Sequence, residues 1–267
     1  MAYLKKTVRT QHRTYVQRVK CWCYNHASIR GKRRVRKFAT SESKAQRNKR
    51  AAQNKRKYEI DNNFTSGDYW ITLTWNKDRV PDEPIKAHKE LMSILAKISR
   101  KLKRKGIPLV YYAKTEAGEG QRVHHHLFIK NNFDVIGTLF EFWKNNGKIK
   151  DFQEIYNMES GKLIEYFLNR GNHKELNFEK YSHSRGLKQP EIEIQIMPFN
   201  SFRENPKPPK SDEEGYQYII QRLYNGYCDL DGFTYQEYEL IKVKVEEHND
   251  FKENDRLMQK EKKGDNS

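Results

Sequence analysis

Cysteine is scarce in this chain: Cys21, Cys23 and Cys228 are the three present among 267 residues. An odd, scattered set of thiols builds no disulfide framework and fits a reducing cytoplasm, here that of a bacterial host. Cys21-x-Cys23 with His26 matches no common zinc-finger spacing, so a half-buried strand is the plainer reading. No apolar run is long enough to span a bilayer, and the N-terminus turns basic at Lys5 without the apolar core of a secretory signal. Apolar residues are sparse at 36%, although aromatics at 12% restore buried area, enough for one core or one core with a small appendage. The Gly-x-x-x-x-Gly-Lys phosphate loop is missing too, so any duplex unwinding falls to a partner.

Acidic residues are nearly absent from the first 57 positions. That stretch holds 19 Lys and Arg against one acid, Glu42, whereas the other 210 residues hold 33 against 34. The net charge of +17 therefore belongs to an N-terminal arm. A segment as dense as Arg33, Arg34, Arg36 and Lys37 exceeds what solubility requires and attracts phosphate backbones by counterion release. It carries no apolar stripe for a membrane surface. Residues 40–57 favour helix but have almost no apolar face, which predicts disorder, or helix only on DNA.

The folded part is expected from Tyr58. Residues 68–75 are aromatic and β-branched and read as a strand. Leu91, Ile94, Leu95, Ile98 and Leu102 form a helical stripe within 85–104. Residues 109–130 read as a hairpin, 135–146 as an amphipathic helix, 148–156 as a strand, 159–170 as a short helix and 191–196 as an alternating strand. A proline-rich linker at 201–211 precedes an expected helix over 212–226, a hairpin over 227–246 and a charged tail from 252. The order predicts an α+β domain over 58–200, an antiparallel sheet of about five strands with helices packed on it, ferredoxin-like, with 212–251 an appendage or part of the same domain.

Within the hairpin lies Val123-His124-His125-His126-Leu127-Phe128. Side chains alternate along a strand, so His124 and His126 share one face while His125 joins Val123, Leu127 and Ile129 on the other, which looks like core. With a turn over 117–121, Glu116 pairs with Arg122 and lies diagonal to His124 on the same face, within reach of a shared ion. Two imidazoles and one carboxylate leave coordination positions open, as catalytic metal sites do.

On the 159–170 helix, Leu163, Ile164, Phe167 and Leu168 form the core stripe, and Tyr166 lies about 130° from its centre. Lys162 and Arg170 flank it at i−4 and i+4. A phenol needs such cations, or a base, to serve as a nucleophile at neutral pH.

Tyr69-Trp70-Ile71-Thr72-Leu73-Thr74-Trp75, then Glu116 with Gly118 and Gly120, then Arg122 to Ile129, then a tyrosine helix, resemble in that order the HUH-type replication initiators (Rep proteins) of rolling-circle plasmids and single-stranded phages. The resemblance covers about 65–200. It implies that His124, His126 and Glu116 bind Mg²⁺ or Mn²⁺, and that Tyr166 attacks a scissile phosphate of single-stranded origin DNA to give a 5′-phosphotyrosine. Arg122 and the arm would grip backbone phosphates, and Trp70, Tyr112 or Trp75 would stack on bases. Host helicase and polymerase would be the further partners. Asn169 stands where the family often has Lys, so Tyr156 and Tyr181 stay open as nucleophiles; Val123 stands where many members have Pro. Two other functions fit the composition: a non-catalytic basic DNA- or RNA-binding protein, or a relaxase or transposase using the same site.

Overall fold

A computed structural model describes residues 2–21, 42–118, 122–156, 161–169, 176–198, 201, 203–227 and 234–245. The chain divides into two units, one of Met1–Lys49 with Pro190–Ser267, the other of Arg50–Gln189.

The second unit opens with the C-terminal part of helix α1 (Glu42–Asp61). Strand β3 (Tyr69–Trp75), helix α2 (Pro84–Lys103), strands β4 (Tyr111–Gly118) and β5 (His124–Ile129), helix α3 (Phe133–Trp143) and strand β6 (Gly147–Glu154) follow. Helix α4 (Lys162–Asn169) and strand β7 (Leu176–His183) complete it. Its antiparallel sheet runs β6-β3-β5-β4-β7. The first four strands have the fourth-first-third-second order of the split β-α-β arrangement, so the expected α+β, ferredoxin-like sheet is what forms. That order places β5, which carries the histidines, between β3 and β4.

The sheet separates two cores. Ile71, Leu73, Leu127 and Ile129 pack with Leu91, Leu95 and Ile98 of α2 and Leu139 and Trp143 of α3. On the other face Trp70, Tyr112 and Phe128 pack with Ile60 of α1 and Ile164 and Phe167 of α4. Pro84 opens α2, where its missing N–H costs nothing, and the Asn132 side chain accepts from Val135 N at the start of α3. A Cβ at Gly147 would lie 1.8 Å from the Thr74 carbonyl oxygen, so only glycine lets β6 approach β3 there.

The first unit departs from expectation. Residues expected to be an unstructured arm form β1 (Ala2–Arg9) and β2 (Arg13–Cys21), in a second antiparallel sheet with β8 (Glu191–Pro198), β9 (Tyr216–Tyr227) and β10 (Thr234–Lys244), ordered β8-β1-β2-β10-β9. The strand at 191–196 therefore pairs with β1 and not with the histidine sheet. The helix expected over 212–226 is instead β9, paired along its length with β10. Tyr216, Tyr218, Ile219 and Ile220 are strand formers, and cross-strand pairing decides their state. Residues 42–61 are helical because Tyr58 and Ile60, buried at 6% and 0% exposure, anchor the C-terminal turns that the polar N-terminal part alone would not hold. Among the described residues no helix is long and apolar enough to cross a membrane.

Candidate active site

The alternation on β5 is as expected. His125 is fully buried on the α2/α3 face, whereas His124 and His126 lie on the α4 face. The register differs from expectation: Glu116 stands directly opposite His124, and Lys114 opposite His126. β4 continues to Gly118 and the connection to β5 is longer than the turn that would pair Glu116 with Arg122. Direct opposition brings Glu116 Oε1 to 2.9 Å from His124 Nε2 and 3.0 Å from His126 Nε2.

The tautomers follow from the outer partners. His124 Nδ1 lies 3.0 Å from the Arg122 carbonyl, which only accepts, so Nδ1 carries the proton. His126 Nδ1 lies 3.0 Å from Thr72 Oγ1, which supplies the equivalent anchor. A neutral His124 therefore aims its Nε2 lone pair at the carboxylate oxygen. Two lone pairs at 2.9 Å repel unless a proton or a cation lies between them. One ligand atom from each of Glu116, His124 and His126 falls within 4.8 Å of the others, so this oxygen and two nitrogens fit a divalent ion. Burial pushes the Glu116 carboxyl up, but hydrogen bonds with His124, His126 and Lys114 and the charge of Lys114 outweigh it, holding the group ionised well below the usual carboxylate range.

Trp70 on β3 links this cluster to the tyrosine helix. Its ring stacks on His126 at 5.2 Å between centroids and meets the Tyr166 ring edge-on at 6.3 Å. α4 turns Ile164, Phe167 and Leu168 inward and leaves Tyr166 48% exposed, as its angular offset predicts. Trp70, Tyr166, Lys162, Leu163 and Tyr156 line a cleft of about 340 Å³. Lys57 pairs with Glu165 at 3.5 Å and so ties α4 to α1.

The other candidates are placed as follows. Tyr156 is 83% exposed in the same cleft as Tyr166. Tyr181 is held by a hydrogen bond to Glu179 and by the Arg56 guanidinium 4.1 Å above its ring. Burial first, then Glu179, pushes its phenol above the ordinary range, the wrong direction for a nucleophile. Trp70, Tyr112 and Trp75, expected to stack on bases, are core residues at 5%, 2% and 3% exposure. Arg122 is exposed at the start of the histidine strand. Arg170, Arg33, Arg34, Arg36 and Lys37 lie outside the described residues.

The motif-bearing stretch matches a known family. Residues 68–175 match the family model of the Replication-associated protein ORF2 type. The chain carries a replication-associated protein domain. The match runs from the start of β3 past the end of α4, so the domain contains Glu116, His124, His126 and Tyr166 together. The resemblance to replication initiators is borne out over that stretch. No curated protein and no solved structure matches the chain.

Behind the metal face of this domain runs a buried relay. Trp75 Nε1 donates to His125 Nε2 at 2.8 Å, so His125 Nδ1 carries the proton and donates to Thr115 Oγ1 at 2.8 Å. Thr115 then donates to His88 Nδ1 at 2.8 Å, and His88 Nε2 donates to Ser182 Oγ at 2.9 Å. One proton per link satisfies every group only if both imidazoles are neutral. Burial, followed by the charge of Lys180, lowers His88 from 6.5 to about 4. Burial likewise lowers His125, helped by His88, His124 and His126. Because the folded values lie below the unfolded ones, this contribution to stability is whole above pH 6.5 and is lost as the pH falls towards 4. The urea midpoint of native protein should fall over that window, and by less in His88→Gln. An equal fall in both would contradict the assignment.

Proposed function

We propose that this protein initiates rolling-circle replication by nicking and rejoining single-stranded DNA at an origin, with Tyr166 as nucleophile beside a metal held by Glu116, His124 and His126. The observation that carries the reading is the contact chain His126–Trp70–Tyr166, which puts a half-exposed phenol beside a two-histidine, one-carboxylate donor set inside a replication-associated domain. When bound, Mg²⁺ or Mn²⁺ would supply Lewis-acid polarisation of the scissile phosphate.

The chain's own residues would do the rest. Thr72 and the Arg122 carbonyl hold the two imidazoles in the ligating tautomer, and Lys114 holds the carboxylate. Tyr166 Oη attacks phosphorus and the bond from phosphorus to the 3′ oxygen breaks. The phenolic proton is lost and the departing 3′ oxygen gains one, leaving a 5′-phosphotyrosine and a free 3′-OH for a host polymerase. Attack by a later 3′-OH reverses the step without ATP, because the diester is conserved in the protein–DNA link. Lys162, exposed beside Tyr166 in the cleft, stands where it can neutralise phosphate charge.

The test is an SDS-stable adduct formed with a library of random single-stranded oligonucleotides and Mn²⁺. Its formation, and its loss in EDTA, support the reading; equal yields with and without EDTA contradict it. The basic segment is a separate question. Deleting residues 1–57 would remove two central strands of the first unit's sheet, so substitution is the cleaner probe. Replacing Arg33, Arg34 and Arg36 with Ala should reduce the slope of log affinity against log salt by up to about 2, at about 0.7 per phosphate contact on single strands. An unchanged slope would remove this segment from the DNA interface.

A further inference from the structure

Lys114 has a place in the site that the donor set alone does not explain. It sits on β4, its side chain is 1% exposed, and it is among the largest fully buried side chains described. Its ammonium lies 2.7 Å from Glu116 Oε2, 3.1 Å from Glu179 Oε1 and 3.0 Å from the Phe167 carbonyl oxygen. An ammonium has three donors, and here three acceptors from three different elements use them.

Each contact has its own consequence. At Glu116 the lysine takes Oε2, so that Oε1 is the oxygen turned to both imidazoles. At β7 it neutralises Glu179, which would otherwise face Glu116 as a second carboxylate. On α4 it reaches one of the last carbonyls of the helix. Those groups have no intrahelical partner, and the negative end of the helix dipole favours a cation there. Phe167 immediately follows Tyr166. One buried charge therefore joins the ligand carboxylate to the backbone of the tyrosine helix, with no metal in the linkage.

We propose that Lys114 is a positioning residue that locks α4, and with it Tyr166, in register with the Glu116 carboxylate whether or not the metal is bound. The proposal rests on the nicking reading for its purpose, but its structural content can be measured without any reaction. It assigns the lysine no contact with DNA, from which its burial excludes it.

The experiment is amide hydrogen exchange on the full-length chain, in EDTA and in Mn²⁺, for native protein, Lys114→Met and Lys114→Arg. In native protein the Tyr166, Phe167 and Leu168 amides should each exchange at rates within about threefold between the two conditions. In Lys114→Met they should exchange at least about tenfold faster, while the Ile71 and Leu127 amides of the central strands stay within about threefold. Lys114→Arg, which keeps the charge, should exchange more slowly than Lys114→Met. The adduct-forming rate constant should fall in Lys114→Met by at least about tenfold with oligonucleotide affinity kept within about threefold.

An α4 that exchanges no faster in Lys114→Met overturns the proposal. If Lys114→Met does not fold, native protein decides: metal-independent protection of α4 upholds the proposal, and opening of α4 by about tenfold or more on chelation overturns it. Native protein that forms no adduct would instead defeat the nicking reading and leave the exchange result standing.

Discussion

His124→Ala is expected to weaken Mn²⁺ binding by on the order of 100-fold or more and to abolish metal-dependent cleavage. Removing this ring takes one of three donors and leaves an ion with two protein ligands. The substitution is also the least disruptive one in the cluster. The His124 side chain is 14% exposed against 1% for His126, and its loss leaves both the Thr72–His126 hydrogen bond and the Trp70–His126 stack intact. Glu116→Gln should weaken binding comparably for a different reason. It keeps the shape but discards the charge, and it leaves Lys114 to Glu179 and the Phe167 carbonyl. In native protein the proton lying between His124 and Glu116 must leave when the ion enters, so Mn²⁺ affinity should fall as pH falls. Titration calorimetry in buffers of different ionisation enthalpy reads both the affinity and the released protons. Native-like affinity in His124→Ala would show that the ion, if bound, sits elsewhere.

Tyr166→Phe should reduce the covalent adduct by at least about 10³-fold while Mn²⁺ affinity and oligonucleotide affinity stay within about threefold. Only the phenolic oxygen is removed. The ring keeps its edge contact with Trp70, and a side chain 48% exposed contributes little to the core. Tyr156→Phe is the informative control because Tyr156 lines the same cleft. Full activity in Tyr166→Phe together with its loss in Tyr156→Phe would transfer the nucleophile to Tyr156. Tyr181→Phe should leave chemistry unaffected, since its hydroxyl is engaged by Glu179 and its phenol is pushed up by burial.

The metal cluster was legible because its signal is local. Strand alternation alone separates His124 and His126 from His125, and a hairpin places Glu116 within reach before any register is known. The register itself was not legible. It depends on where β4 ends, and glycines at 118 and 120 permit more than one turn. Tyr166 could be singled out because a short helix with a clear apolar stripe makes an off-stripe tyrosine conspicuous. Lys114 escaped notice because one lysine in a strand reads as solvent-facing. Its parity was the available clue: it lies two residues before Glu116 and so on the same face as the ligands.

The first unit was the least legible part. β1 and β2 pair with β8 and β10, strands almost two hundred residues or more away in sequence, and dense positive charge drew attention to solubility and DNA instead of pairing. β7 was missed as well. At the edge of its sheet it needs no apolar face, and Asn177-Phe178-Glu179-Lys180 carries no strand signal of its own.

The most direct measurement of the central claim is peptide mapping of the covalent species. After reaction of the full-length chain with single-stranded DNA and Mn²⁺, nuclease and protease digestion should leave one peptide carrying a nucleotide phosphate, and fragmentation should place it on Tyr166. Its absence after reaction in EDTA should accompany that result. A phosphate mapped to any other residue, or a Tyr166 adduct that forms equally well in EDTA, would contradict the account.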